Sequence, residues 1–191
     1  IMMDIKVGFA MCGSFCTFSR AIPQMELLAD SGYDVLPIMS HTAYSTDTRF
    51  GKAADFRKKI ESICQKEIIH TIERAEPIGP KKLTDIMIIA PCTGNTLSKL
   101  TNSTIDTSVT MAVKSHLRGQ RPVLIALATN DGLAGCAQNL GAMLSRKNFY
   151  FVPMSQDDPI KKPASLVAHF DLIVPAMESA FMGYQIQPLF R

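Results

Sequence analysis

The run DIMIIA, Asp85 to Ala90, limits what this chain can fold into more than any other stretch. Its apolar residues do not alternate with polar ones, so a strand made from it must be covered on both faces. It stops at Pro91 and gives way to PCTGNT, a patch of small hydroxyl, glycine and amide residues. A doubly buried strand needs helices above and below it, and that requirement organises the rest of the sequence.

Other runs share this character: DIKVGFAM (Asp4 to Met11), YDVLPIM (Tyr33 to Met39), PVLIALA (Pro122 to Ala128) and FYFVP (Phe149 to Pro153). EIIHTI, from Glu67 to Ile72, is a further short candidate strand. Between them, SRAIPQMELLADSG places Ile22, Met25 and Leu28 at helical spacing and stops at Gly32. DFRKKIESICQK puts Phe56, Ile60 and Ile63 on one helical face. The segment from Thr107 to Leu117, AQNLGAMLSRK, and the proline-containing FDLIVPAMESAFMG read as later helices. The alternation predicts an α/β fold: a three-layer αβα sandwich with a mostly parallel, Rossmann/flavodoxin-like sheet of about six strands. With 191 residues and 47% hydrophobic content, one domain over residues 1–191 has enough material for a core.

Composition removes several function classes. A formal net charge of +3, with the basic residues scattered, argues against nucleic acid. No apolar run approaches the roughly 20 residues that span a bilayer, so no membrane association is expected. The opening IMMDIKVGFAM has no basic segment or cleavage site, so a signal peptide is not expected, and Ile1 is given no weight. The five cysteines (Cys12, Cys16, Cys64, Cys92, Cys136) form no CxxC pair and read as reduced core thiols of a cytoplasmic protein, with no metal site.

In a parallel sheet, ligands bind outside the carboxyl ends of the strands. The loops there are CGSFCTF, SHTAYSTDTRFG, PCTGNT, TNDGLAG and PMSQDDPIKKP, and four of the five are rich in Gly, Ser, Thr and Asn. None is a GxGxxG fingerprint, and no GK[ST] follows Gly13. Each hydroxyl could serve as an ordinary helix cap. Together they could form an anion pocket from main-chain N–H groups and side-chain donors. On that reading the main chain at Gly13, Ser14 and Phe15 and the hydroxyls of Ser40 and Thr93 hold an anion. Asn95, Thr96 and Asn130 face a cofactor or substrate, since such groups donate and accept.

The stretch APCTGNTLSKLTNSTIDTSVTMA resembles the signature of the flavoprotein superfamily that includes the homo-oligomeric flavin-containing cysteine decarboxylases. Gly13-Ser14 matches the family's first flavin loop, Ser40 to Ala43 its Ser/Thr-rich second loop, and Asn130 its asparagine loop. The resemblance therefore implies FMN, held by Gly13, Ser14, Phe15, Ser40, Thr42, Pro91, Thr93, Asn95, Thr96 and Asn130. It also implies a homo-oligomer, trimeric or a multiple of trimers. EPIGPKKLTDIMIIAPCTGNT, HLRGQRPVLIA, TNDGLAG and FVPMSQDDPIKKPASLVAHFDL are similar to one branch, found in spore-forming bacteria. That branch pairs with a pyridine-nucleotide-binding A subunit, which brings NADP. Together they convert a dihydrodipicolinate-type dicarboxylate precursor to dipicolinate in the mother-cell cytoplasm during sporulation.

The chain departs from the decarboxylases where their chemistry sits. Pro77 stands at the place of their histidine, DGLAG follows Asn130 instead of Met and Trp, and SQDDPIKKPAS contains neither Cys nor Gly. Three readings stay open: an oxidoreductase subunit inactive alone, a flavin-less partner that binds substrate carboxylates, and a flavin prenyltransferase or decarboxylase relative. No catalytic acid or base is assigned. His70, Cys92 and the Asp157 to Pro163 loop are left without a role. Arg49, Lys161 and Lys162 are the cations expected near the ligand edge, with Arg118 and Arg121 at the opposite edge.

Overall fold

The computed structural model describes residues 5–191 of the chain. Its parallel strands are β1 (Lys6–Met11), β2 (Asp34–Met39), β3 (Ile86–Cys92), β4 (Val123–Thr129) and β5 (Phe149–Phe151). They lie in the order β2-β1-β3-β4-β5, the flavodoxin-like arrangement, so the chain reverses its direction of travel between β1 and β3. Helices α1 (Phe18–Asp30), α2 (His41–Ser45), α3 (Ala53–Cys64) and α4 (Ile72–Ala75) precede β3. After it come α5 (Gly94–Thr101), α6 (Ser108–Leu117), α7 (Ala137–Leu144) and α8 (Ile173–Phe181).

The unbroken apolar runs now have a physical reason. Successive side chains of a strand point to opposite faces, and here each face meets its own apolar cluster. Ile86 and Ile88 of β3 join Phe9, Met25, Leu28, Ile60 and Met177, beneath α1, α3 and α8. Met87 and Ile89 join Leu97, Val113, Ile125, Leu140 and Met143, beneath α5, α6 and α7. A polar residue on either face of β3 would be buried, which is why its pattern is continuous rather than alternating.

Two further strands enlarge the sheet to seven, against the expected six or so: β6 (Met154–Ser155) and β7 (Leu166–Ala168). β7 runs antiparallel to the end of β4, with Thr129 opposite Leu166 and Ala128 opposite Val167. β6 pairs antiparallel with β7. Strands of two and three residues are too short to carry a readable period. EIIHTI supplies only a bridge between Ile69 and Ile38, and α4 begins at Ile72. FYFVP leaves the strand after Phe151, and the last helix starts with a 3-10 turn over Phe170–Leu172. Asp4, at the head of the first expected strand, lies outside the described residues.

At the edge of the sheet away from the carboxyl ends, buried His116 ties α6 to the strands. Its Nδ1 lies 2.8 Å from Thr84 Oγ1, and its Nε2 lies 2.9 Å from the carbonyl of Pro122. Burial pushes its pKa down to about 4, with the nearby charge of Arg121 acting in the same direction. The native ring is therefore neutral where an unfolded one, with a pKa of about 6.5, already takes a proton. Its stabilising contribution is complete above that unfolded value and is lost as pH falls toward 4. Over that window the folded state should lose on the order of 3 kcal/mol. Urea unfolding at a series of pH values checks this: His116→Gln should flatten the slope between pH 6.5 and 4, and an unchanged slope would assign the acid sensitivity elsewhere.

Candidate functional site

The loops that leave β1 and β3 are laced together by Cys12 N–H, which donates to Pro91 O at 3.0 Å. The β1 loop then tightens: Thr17 donates to the carbonyl of Ser14 through both N–H, at 3.0 Å, and hydroxyl, at 2.8 Å. This makes the 3-10 turn Phe15–Thr17 that opens into α1. Ser14 sits at the cap position of that turn, yet its hydroxyl makes no capping bond. Across from it α5 starts with Thr93, whose hydroxyl accepts from Thr96 N–H at 3.2 Å. A Cβ on Gly94 would stand 2.6 Å from Thr129 Oγ1 and 3.0 Å from Asp131 Oδ1. Glycine there lets the β3 and β4 loops close on each other. Because β7 begins opposite the end of β4, residues 156–165 are carried over the same sheet edge, and Leu133 N–H fixes them by donating to Ala164 O at 2.9 Å.

These four segments enclose a cleft of about 690 Å³, within the usual range for small-molecule sites. Among the residues expected at a site, Gly13, Ser14, Thr93, Asn95 and Asn130 line it. The other five do not. Phe15 packs on Phe18, with ring centroids 5.1 Å apart, and faces a separate recess with Phe50 and Phe56. Ser40 caps α2, accepting from Ala43 N–H at 3.2 Å. Thr42 stands behind the loop, its Cγ2 3.1 Å from where a Cβ on Gly13 would lie. Pro91 is buried within β3. Thr96 is buried and its hydroxyl donates to Cys12 Sγ at 3.3 Å, so it braces the floor rather than facing the opening.

The cleft has charges of both signs. Lys162 pairs with Asp157 at 2.8 Å, and that carboxylate holds the ammonium's pKa above the ordinary lysine value. Asp131 accepts from the Thr129 hydroxyl at 2.5 Å. Arg20, on the first turn of α1, also lines the cleft and lies over the ring of Phe170, 5.4 Å from its centroid. Of the cations expected near this edge, Lys162 alone reaches the cleft; Arg49 lies over Phe50, and Lys161 is exposed. Arg121 donates to Thr84 O at the opposite edge of the sheet.

The thiols divide. Cys92 is fully buried, donates to Thr93 O at 3.6 Å, and has its pKa raised well above the ordinary thiol value by burial and then by Cys12 and Cys136. Burial pushes Cys12 up to about 11. Neither forms a thiolate near neutral pH, so neither suits a nucleophile. Cys16 departs from the expectation of core thiols: it is exposed and lines the cleft. His70 stacks on Tyr44, with ring centroids 3.8 Å apart, and takes no part in the cleft.

Sequence reading missed Arg20, Cys16, Asp131 and Ser165 as lining residues. Asp131 had a legible signal, since it follows Asn130 in a ligand-edge loop. Arg20 had none, because a polar residue on a helix's outer side looks solvated until the neighbouring loop is placed.

The model of the family described as Flavoprotein matches residues 2–161. The B subunit of dipicolinate synthase from Bacillus subtilis (strain 168) is 45% identical over 184 residues, which cover 96% of this chain and 92% of that protein. The crystal structure of the dipicolinate synthase B subunit from Bacillus halodurans C superposes with a TM-score of 0.90 at 41% identity, covering 100% of this chain and 98% of the other. The FMN-dependent cysteine decarboxylase SpaF has the same fold at 17% identity, with a TM-score of 0.66 over 92% of this chain and 97% of its own.

Proposed function

The chain belongs to the flavoprotein family, in the branch of dipicolinate synthase B subunits, and from that premise we propose that it is the flavin-binding half of a two-subunit oxidoreductase. With a dipicolinate synthase A subunit that binds NADP, it converts a dihydrodipicolinate-type precursor to dipicolinate in the cytoplasm of a sporulating cell. Its own copies associate as a trimer or a multiple of trimers.

The observation that supports this reading best is the donor set of the cleft. The side chains of Ser14, Asn95 and Asn130 line it and make no hydrogen bond to another described residue. A hydroxyl at a glycine-containing turn that opens into a helix suits a phosphate. Two free amides, each both donor and acceptor, suit the edge of a flavin ring or a pyridine carboxylate. Ser14 would hold the cofactor's phosphate end, and Asn95 and Asn130 its polar ring edge or the substrate. Aromatising a dihydropyridine removes a hydride and a proton, and a bound flavin or nicotinamide supplies the hydride acceptor. The chain's part is then to orient the substrate and exclude water. No histidine lines the cleft among the described residues, and its two carboxylates are already engaged by Lys162 and Thr129. A residue from the partner subunit completes the proton-transferring set.

The purified chain should carry a flavin absorbance band, or gain one on adding FMN. Assayed alone with NADP it should make no dipicolinate above background, and adding the A subunit should restore turnover. Robust turnover by the chain alone would overturn the dependence on a partner. Reconstitution without any flavin uptake would favour the flavin-less reading.

A further inference from the structure

We propose that Arg20 is the residue that selects a carboxylate-bearing substrate, gripping one carboxylate of the dipicolinate-type ligand inside the cleft. The inference rests on the proposed function for the substrate's class, and on the geometry for the residue.

Among the described residues, four charged side chains line the cleft: Arg20, Asp131, Asp157 and Lys162. Lys162 is matched by Asp157 at 2.8 Å, and Asp131 is engaged by Thr129. Arg20 pairs with no carboxylate among the described residues, although Asp171 borders the neighbouring crevice that it also lines. Arg20 is therefore the cation of the cleft without an acidic partner, while Asp131, held only by a neutral hydroxyl, keeps its negative charge on the β4 side. Its position is set by Phe170, a buried residue whose ring the guanidinium overlies at 5.4 Å. The Arg20 guanidinium donates to no other described residue, so its N–H groups stay available, and a guanidinium fork matches the two oxygens of a carboxylate.

The opposing charges give the cleft a direction. Asp131 comes from the β4 loop and Asp157 from the β6–β7 loop, whereas Arg20 comes from α1. A dicarboxylate entering the cleft is repelled on the β4 side by Asp131, meets the balanced Asp157–Lys162 pair on the β6–β7 loop, and is attracted on the α1 side by Arg20. A ligand with one carboxylate at each side of a pyridine ring would be anchored at one end by Arg20. Its ring would then lie toward Asn95 and Asn130, which come from the loops after β3 and β4. Ser14, on the turn that leads into α1, remains for the cofactor.

The test is direct binding to the full-length chain, loaded with FMN, of two probes that differ by one carboxylate: dipicolinate and picolinate. Wild type should bind dipicolinate about tenfold or more tighter than picolinate, the range of one charge-assisted contact. Arg20→Ala should lose most of that preference while FMN affinity and thermal midpoint stay as in wild type. Arg20→Lys, which keeps the charge but not the planar fork, should fall between them. In the reconstituted two-subunit enzyme, Arg20→Ala should raise KM far more than it lowers kcat. Equal binding of the two probes by wild type, or an undiminished preference in Arg20→Ala, would overturn the assignment. A parallel loss of FMN would instead make Arg20 a cofactor contact and overturn it too. Failure of the functional reading itself shows separately, as absence of flavin uptake or of product with the A subunit.

Discussion

Gly79→Ala is expected to cost about 3 kcal/mol or more of stability, enough to unfold a marginal domain. The backbone conformation is not the obstacle, because φ at Gly79 is −73°, ordinary for any residue. The obstacle is space: an added Cβ would lie 2.0 Å from the carbonyl oxygen of Ser115 and 2.8 Å from its Oγ. Both belong to α6, whose main chain cannot step aside without moving the helix. The same contact is a hydrogen-bonded joint, since Gly79 N–H donates to Ser115 Oγ at 2.7 Å and that hydroxyl donates to Glu76 O. Displacing α6 would also disturb Ser108, whose hydroxyl donates to Met39 O at 2.6 Å at the ligand edge. Gly141→Ala is the matched control. It lies inside α7 with nothing within 4 Å of the added Cβ, so it should gain about 0.5–1 kcal/mol from helix propensity. Urea midpoints report both; equal midpoints would show that the α6 joint yields.

Ser14→Leu should lower FMN affinity by about a hundredfold or more while leaving the fold intact. The Ser14 side chain lines the cleft and makes no bond that holds its turn together; the turn is fastened by the main-chain carbonyl of Ser14, which accepts from Thr17. A leucine therefore leaves those bonds in place. It fills the space where a phosphate would sit and strips away one donor, a desolvation and steric loss of about 3 kcal/mol. Ser14→Ala, which removes the donor but not the space, should cost only about tenfold. Flavin fluorescence titration gives both numbers, with a melting curve as the control on folding. Leucine binding FMN as tightly as wild type would move the cofactor out of this turn.

Much of this architecture could be read before any coordinates. β3 and β4 were legible because each is seven residues long and apolar on both faces. α1 and α3 were legible because their buried residues recur at helical spacing. The placement of Gly13, Ser14, Thr93, Asn95 and Asn130 on the cleft wall was legible by position: a polar loop after a buried parallel strand has to emerge at the carboxyl edge. Thr96 and Phe15 show the limit of that rule. Each lies in such a loop, but one turn of helix is enough to point the first toward Cys12 and the second toward Phe18.

The sequence alone thus determined the layering, the strand direction and the edge at which a ligand could sit, because these follow from local periodicity and from which runs can tolerate solvent. Only the tertiary structure decided which charges share the cleft. Arg20 reaches it from α1, while Asp157 and Lys162 reach it from a loop brought back over β4 by the three-residue strand β7. Pairings between segments so far apart in the chain depend on packing and backbone hydrogen bonds across the sheet, and no local pattern encodes them.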